Sequence, residues 1–314
     1  MTTATHHEAT QAFRCFGSRC AVFVIGDGAR RTAAEAVEHA TRRLLGWHER
    51  FTRFDPASEL SRLNADWRAR VPVSPVMARF VDAVATAGER TGGLVDATLV
   101  TELEAAGYRT HFEGAPLPLE LALRLAPRRR AASPSRAARW REIELDAAAR
   151  TVTRPPGVML DSGGLAKGLF ADLLADELAT HASFAIDCAG DVRVGGAAGM
   201  TRDVPVANPF GGDALHTYAA TGAGIATSGI GARSWLDADL RPAHHLLDPA
   251  TGRPAFTGVV QATALAPTAL EAEVRAKAAV LSGPERAGAW LPHGGVVVLD
   301  DGSHSVLPTT EEHR

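Results

Sequence analysis

From about residue 31 the apolar positions fall three and four apart, with Val37, Ala40, Leu44, Trp47 and Phe51 on one stripe. That spacing predicts a long amphipathic helix in which Trp47 and His48 serve packing and flank rather than chemistry. Ser74-Pro75 marks a second helix start, a capping hydroxyl before a first-turn proline, with Met77, Phe80, Val81 and Val84 facing inward and Gly92-Gly93 ending it. A third helical pattern follows Gly164 to about residue 180, and a last one runs from Ala269 to Ser282. Between them the pattern turns extended. β-formers flank Gly17 over 13–25, an Ala/Asp turn joins two short strands over 140–152, residues 184–196 bend at Gly190-Asp191, and Val296 to Leu299 form a closing buried strand. Adjacent strand pairs between helices predict an α+β fold with largely antiparallel or mixed sheets, not a doubly wound parallel one.

One junction of these patterns carries chemistry. Val158, Met159 and Leu160 form an apolar run closed by Asp161; Gly163 and Gly164 follow, and Lys167 falls in the first helical turn. A strand, a tight turn and a helix start expose backbone N–H groups, which with a lysine beside them form a seat for phosphate; the same glycines also suit an ordinary turn. The spacing matches neither the P-loop nor the G-x-G-x-x-G fingerprint. Lys167 shares a stripe with Ala171, Leu174 and Leu178, and an inward lysine requires an anionic partner.

Composition narrows the classes. With 314 residues and 46% hydrophobic content, the chain can bury a sizeable core. Basic and acidic residues, 33 against 36, give a net charge of -3, so neither nucleic acid nor a membrane surface is expected as a partner. Cys15, Cys20 and Cys188 have no metal-site spacing and predict neither a disulfide nor zinc. The N-terminus has no basic and apolar leader pattern, which predicts a cytoplasmic protein. We expect a disordered tail over 1–12, a single domain over 13–307 with a mobile Pro-, Arg- and Ala-rich connection at about 110–139, and a C-terminal tail over 308–314.

Other candidate residues are scattered. Asp96 and Thr98 form a polar pair just beyond Gly92-Gly93. Thr227 and Ser228 precede Gly229, and His244-His245 leads to Asp248 on a turn punctuated by Pro249 and Gly252. A triad of Ser228, His245 and Asp248 can be drawn, but no G-x-S-x-G elbow supports it. As neighbours on a strand, His244 and His245 point apart, which argues against a metal held by both.

Together these stretches resemble the ApbE family of flavin transferases, FAD:protein FMN transferases that work with magnesium. Cys15-Phe16-Gly17-Ser18 is similar to the family's Met-Gly-Thr strand, and Phe54-Asp-Pro-Ala-Ser58-Glu-Leu-Ser-Arg-Leu-Asn64 to its Tyr-x-Pro-x-Ser-x-x-Ser-x-Leu-Asn segment. Gly93-Leu-Val-Asp96 resembles Gly-x-Phe-Asp, and Asp161-Ser-Gly163-Gly164-Leu-Ala-Lys167-Gly168 resembles Asp-Leu-Gly-Gly-Ile-Ala-Lys-Gly. Ala226-Thr227-Ser228-Gly229 and His245-Leu-Leu247-Asp248-Pro-Ala-Thr-Gly252 match with little change. The resemblance implies a flavin cleft between two subdomains and a defined reaction. A protein Ser or Thr hydroxyl attacks the FMN-side phosphorus of FAD, AMP leaves, and FMN stays attached to the acceptor protein. It implies that Phe16 and Phe54 line the cleft, and that Asp96, Asp161, Gly163, Gly164, Lys167, Thr227, Ser228, Leu247 and Asp248 bind FAD. It further implies His245 as catalytic base and the Gly164 carbonyl as a magnesium ligand.

The chain departs from the family at its last helix. There an aspartate and, four positions on, a threonine usually hold magnesium; Glu273 and Lys277 stand in their places. Charged lysine cannot ligate a metal, so Glu273 and Gly164 remain as candidate ligands. Ile230 also stands where an aspartate is common, and Phe54 replaces a tyrosine. An exposed Glu-Lys pair is the plain reading of Glu273 and Lys277. Because Lys277 shares a stripe with Leu270, Val274 and Leu281, we expect it instead to point inward and act as a catalytic cation, supplying part of the charge magnesium supplies elsewhere. The altered metal site leaves two alternatives to transfer: a non-catalytic FAD-binding protein, or a FAD pyrophosphatase giving FMN and AMP.

Overall fold

The computed structural model describes residues 7–112 and 114–309. An eight-stranded sheet forms the frame, in the spatial order Glu8–Cys15, Ser18–Ile25, Ser183–Cys188, Asp191–Gly195, Gly224–Gly229, Val259–Ala266, Gly295–Leu299 and His304–Leu307. Every neighbouring pair in it is antiparallel, as the paired-strand pattern predicts. A small sheet of Arg70–Pro72, Thr151–Thr153 and Glu144–Asp146 lies apart from it in the pairing.

Two hairpins of the large sheet turn through two residues with positive φ: Phe16 (54°) with Gly17 (71°), and Ala189 (59°) with Gly190 (93°). That geometry follows the twist of the flanking strands, but it forces Phe16 and Ala189 into the left-handed region, which L-residues resist by about 1–2 kcal/mol.

The helices follow their stripes. Thr32 caps Ala33–Phe51 in a capping box with Glu35, and Val37, Ala40, Leu44, Trp47 and Phe51 are all buried. Ser74 caps Pro75–Arg90, and Met77, Phe80, Val81 and Val84 are buried. The helix expected over Ala269–Ser282 has those bounds, although it is not the last, since a short helix Pro284–Ala287 follows. One hydrophobic core cluster among the described residues reaches from Val22 to Val298.

The helices Ala166–Leu178 and Ala269–Ser282 meet at unusually close range. A Cβ on Gly168 would lie 2.6 Å from the Ala269 carbonyl oxygen and 2.7 Å from Leu270 Cα, so only glycine permits the contact. Each helix also caps the other. Asp172 accepts the N–H groups of Ala269 (2.8 Å) and Leu270 (2.9 Å), while Glu273 Oε2 accepts the Gly168 N–H at 2.9 Å.

Two boundaries differ from expectation. The first strand begins at Glu8, so the tail expected over 1–12 overlaps a strand paired from Glu8↔Ile25 onward. Its outer residues are polar, as an edge strand tolerates, and this hides it from a hydrophobicity reading. Residues 1–6 of that expected tail, and 310–314 of the C-terminal one, lie outside the described residues. The connection at 110–139 carries the helix Leu119–Leu125 and is stitched to the body by backbone bonds Leu117 to Ser234, Arg130 to Phe256 and Ala132 to Leu281.

Glycines at two helical positions give opposite predictions. Gly168→Ala should destabilise the fold by about 1–3 kcal/mol through forced separation of the two helices. Gly46→Ala, with nothing within 4 Å of the new methyl group, should stabilise by about 0.5–1 kcal/mol. Urea unfolding of both variants checks the pair.

Candidate functional site

A cleft of about 820 Å³ opens where the turn at Phe16, the end of the first helix, the 94–116 segment, the Asp161 turn, and the helix Ala269–Ser282 converge. Phe16, Phe54, Asp96, Asp161, Gly163, Gly164, Lys167, Thr227, Ser228, His245, Leu247, Glu273 and Lys277 all line it. Residues scattered over the chain are thus brought to one place. Asp248 is the exception.

The Asp161 turn is held from three sides. Asn64 brackets Leu160 by donating to its carbonyl and accepting its N–H, both at 2.8 Å, which gives the Ser58-to-Asn64 segment a structural role. The Asp161 N–H donates to Ala97 O at 2.8 Å, and Ser162 Oγ donates to Phe51 O at 2.8 Å. Asp161 Oδ1 accepts the Gly163 N–H at 2.9 Å, while Oδ2 lies 3.0 Å from Arg53 Nε. Arg53 in turn lies under the rings of Phe54 (4.3 Å) and Tyr108 (4.8 Å).

Beyond this turn the helix N-terminus is partly closed rather than open as expected. Ala166 N–H donates to Ser162 O, and Gly168 N–H is taken by Glu273. A buried carboxylate from the facing helix sits where an anionic ligand was expected, because the close helix crossing leaves no other partner for that N–H. Positive charge comes instead from side chains. Lys167 pairs with Asp191, which is 1% exposed, and lies 3.9 Å from Glu273 Oε1. Lys277 Nζ donates to the Gly164 carbonyl at 2.6 Å and also lies 3.9 Å from Glu273 Oε1. Lys277 therefore points inward, as its stripe predicts.

Lys167, Glu273 and Lys277 shift one another's pKa values within this cluster. Burial disfavours the Lys167 charge, but Asp191 and then Glu273 outweigh it and raise its pKa. Burial pushes Glu273 up to about 7, helped by Asp191 and opposed by Lys167 and Lys277. Burial also lowers the Lys277 pKa, against the pull of Glu273.

The residues do not fit the magnesium that Gly164 and Glu273 were expected to hold. Lys277 already occupies the Gly164 carbonyl, and Glu273 is committed to Gly168 and flanked by two ammonium groups. A divalent ion about 4 Å from one ammonium would be repelled by roughly 8 kcal/mol at an effective dielectric of about 20. No cluster of three or more His, Cys, Asp or Glu suited to a metal exists among the described residues.

His245 is half-buried, and its Nδ1 has no hydrogen-bond partner among the described residues. Desolvation, and then the Arg233 and His244 charges and that of Lys277, hold its pKa well below the ordinary imidazole value, so it stays neutral. His244 ends the strand Pro242–His244 and packs edge-on to Phe256 at 4.8 Å, while His245 lies in the bend that follows and reaches the cleft. Asp96 Oδ1 accepts from both the N–H and hydroxyl of Thr98, and burial raises its pKa. Thr227 faces the cleft, but its hydroxyl is engaged by Thr263 at 2.8 Å across the strand pair.

Asp248 is the residue most clearly misread from sequence. It does not line the cleft; Oδ1 accepts the N–H groups of Ser133 (2.9 Å) and Ala250 (3.2 Å), and Oδ2 accepts the Thr251 hydroxyl (3.0 Å). It locks a turn and pins the 110–139 connection, so the triad with Ser228 and His245 does not form.

Sequence reasoning missed Arg53, Tyr108, His111, Asp191 and Arg233, and it assigned His48 to the flank although that ring lines the cleft, 5.2 Å from Phe16. Arg233 donates to the Phe16 carbonyl at 2.7 Å and so ties the strained turn to the cleft. Asp191 had one visible signal, an acid directly after a glycine turn.

The frame is that of solved flavin-transferase structures. An ApbE protein from Thermotoga maritima superimposes with a TM-score of 0.76 at 22% identity, covering 98% of each chain. The apo flavinyl transferase ApbE of Pseudomonas stutzeri gives 0.75 at 20% identity, covering 99% of this chain and 97% of that one. The ApbE family profile matches residues 16–299, and the chain belongs to the ApbE family. The FAD:protein FMN transferase of Salmonella typhimurium is 26% identical over 314 residues, 95% of this chain and 85% of that protein. The enzyme of that name from Treponema pallidum is 31% identical over 149 residues, 43% of this chain; the match spans 41% of that relative, less than half its length. No helix among the described residues is long and apolar enough to cross a membrane.

Asp248→Ala should destabilise the protein by about 2 kcal/mol or more, since it strands buried donors. It should leave FAD affinity within about twofold of wild type, because the carboxylate turns away from the cleft. Urea unfolding and flavin-fluorescence titration read the two effects separately.

Proposed function

We propose that this protein transfers FMN from FAD to a serine or threonine hydroxyl of an acceptor protein, releasing AMP. One observation supports this reading above all: two ammonium groups, Lys167 and Lys277, and a neutral imidazole, His245, share one cleft with the Asp161 turn. The names of the relatives support it independently.

In this reading the pyrophosphate of FAD sits beside Gly163 and Gly164, with Lys167 and Lys277 compensating its charge. Phe16, Phe54 and backbone near Leu247 enclose the ring systems, and Asp96 and Asp161 offer acceptors to their polar edges. The acceptor oxygen forms a bond to the FMN-side phosphorus as the bridging P–O bond to AMP breaks. His245 takes the hydroxyl proton, and AMP leaves with the bridging oxygen. Such a reaction needs positioning and charge compensation more than covalent help. No step is assigned to magnesium, because the residues around Gly164 do not suit it. The net charge of -3 gives nucleic acid or an anionic membrane no attraction as a partner.

Incubation with FAD and proteins of the source cell tests the reading. The expected product is an acceptor heavier by one FMN phosphoryl group, fluorescent after denaturation, with one AMP per flavin. FMN and AMP formed without any acceptor would make the protein a pyrophosphatase, and unchanged bound FAD would make it a carrier.

His245 gives a pH prediction. A base whose pKa is depressed in the free protein stays neutral as pH falls and loses function only below that lowered value. The acid limb of kcat/KM should therefore lie below 6.5, the ordinary imidazole value. His245→Asn should remove that limb and reduce kcat by about 10²–10⁴-fold, read as AMP release across a pH series.

A further inference from the structure

We propose that Lys277 makes the nucleotide seat of this protein independent of any divalent cation, an inference that rests on reading the cleft as a FAD site. Lys277 Nζ lies 2.6 Å from the Gly164 carbonyl, and a Cβ built on Gly164 would stand only 3.0 Å from that nitrogen. The ammonium thus fills the space in front of the carbonyl, where a magnesium ion would need to approach within about 2.1 Å.

Lys277 cannot readily withdraw. Its helix is fixed against Ala166–Leu178 by the contact at Gly168 and by the exchanged caps of Asp172 and Glu273. The second oxygen of Glu273 lies 3.9 Å from each of the two lysines.

Charge balance agrees. Within the cluster, Lys167 and Lys277 offset Asp191 and Glu273, and Arg53 offsets Asp161. Arg233 adds a guanidinium that donates to the Phe16 carbonyl in the same cleft. An ammonium carries three donors, so Lys277 can hold Gly164 with one and offer others to phosphate oxygens. Lysine binds phosphate as a point charge, and with the other pairs balanced Arg233 leaves the cleft one net positive charge to meet the nucleotide.

Flavin-fluorescence titration of the whole protein with FAD, in EDTA and in millimolar magnesium, tests this directly. Affinity should agree within about twofold between the two conditions, and the Mn²⁺ EPR signal should show no uptake beyond that of FAD alone. Lys277→Thr should weaken FAD binding about tenfold or more in EDTA, and magnesium should restore it, a rescue that a merely structural lysine would not give. Wild-type affinity that rises about tenfold with magnesium, stoichiometric Mn²⁺ uptake by the wild type, or a Lys277→Thr variant indifferent to magnesium would each overturn the proposal. Should the variant not fold, the wild-type titrations decide alone. AMP release measured in parallel separates the two readings: metal-free binding without AMP release overturns transfer and leaves Lys277 in place, while magnesium-dependent release does the reverse. A protein that binds no FAD at all overturns both.

Discussion

The exchange of carboxylate caps between two helices governs this site. Asp172 on Ala166–Leu178 satisfies the first N–H groups of Ala269–Ser282, and Glu273 on the latter returns a cap to Gly168. Each carboxylate meets the positive end of the partner's dipole inside the protein, where such contacts are stronger than at a surface. The exchange works only because Gly168 lets the backbones approach. With the helices locked, Lys167 and Lys277 both come within 3.9 Å of one Glu273 oxygen, Lys277 reaching the Gly164 carbonyl and Lys167 reaching Asp191.

The other walls come from strained or borrowed pieces. Phe16 and Ala189 both sit at left-handed hairpin positions and both line the cleft. Strain of that kind persists where surrounding contacts over-determine it, and Arg233 supplies one by holding the Phe16 carbonyl. Arg53 does similar service opposite, joining Asp161 to the Phe54 and Tyr108 rings. A cleft assembled this way is shaped before ligand arrives, so less ordering is left for binding to accomplish.

Its electrostatics are poised in the same sense. Burial lowers the pKa values of both His245 and Lys277, and nearby cations lower His245 further. An arriving pyrophosphate would offset those cations and raise the imidazole pKa back toward its ordinary value, giving the base more driving force in the complex than in the free protein.

Much of this was legible in the residues. Stripes at helical spacing gave the helix Ala269–Ser282 its bounds and turned Lys167 and Lys277 inward, and paired extended runs implied the antiparallel sheet. The ordered motifs pointed to the family, and every site residue they named except Asp248 lies on the cleft wall. Hidden were the partners: that Asp191 pairs with Lys167, that Arg53 takes Asp161, that Arg233 braces Phe16, and that Glu273 caps a helix instead of waiting for a metal. Asp248 shows the same limit, since its motif looks like a ligand while its bonds belong to Ser133, Ala250 and Thr251. By itself the sequence determined which face of each element is apolar and which residue types share a motif, because periodicity is local. Only the tertiary structure decided which charges meet, because partners 24 to 217 residues apart are joined by how closely distant stretches of backbone can pack.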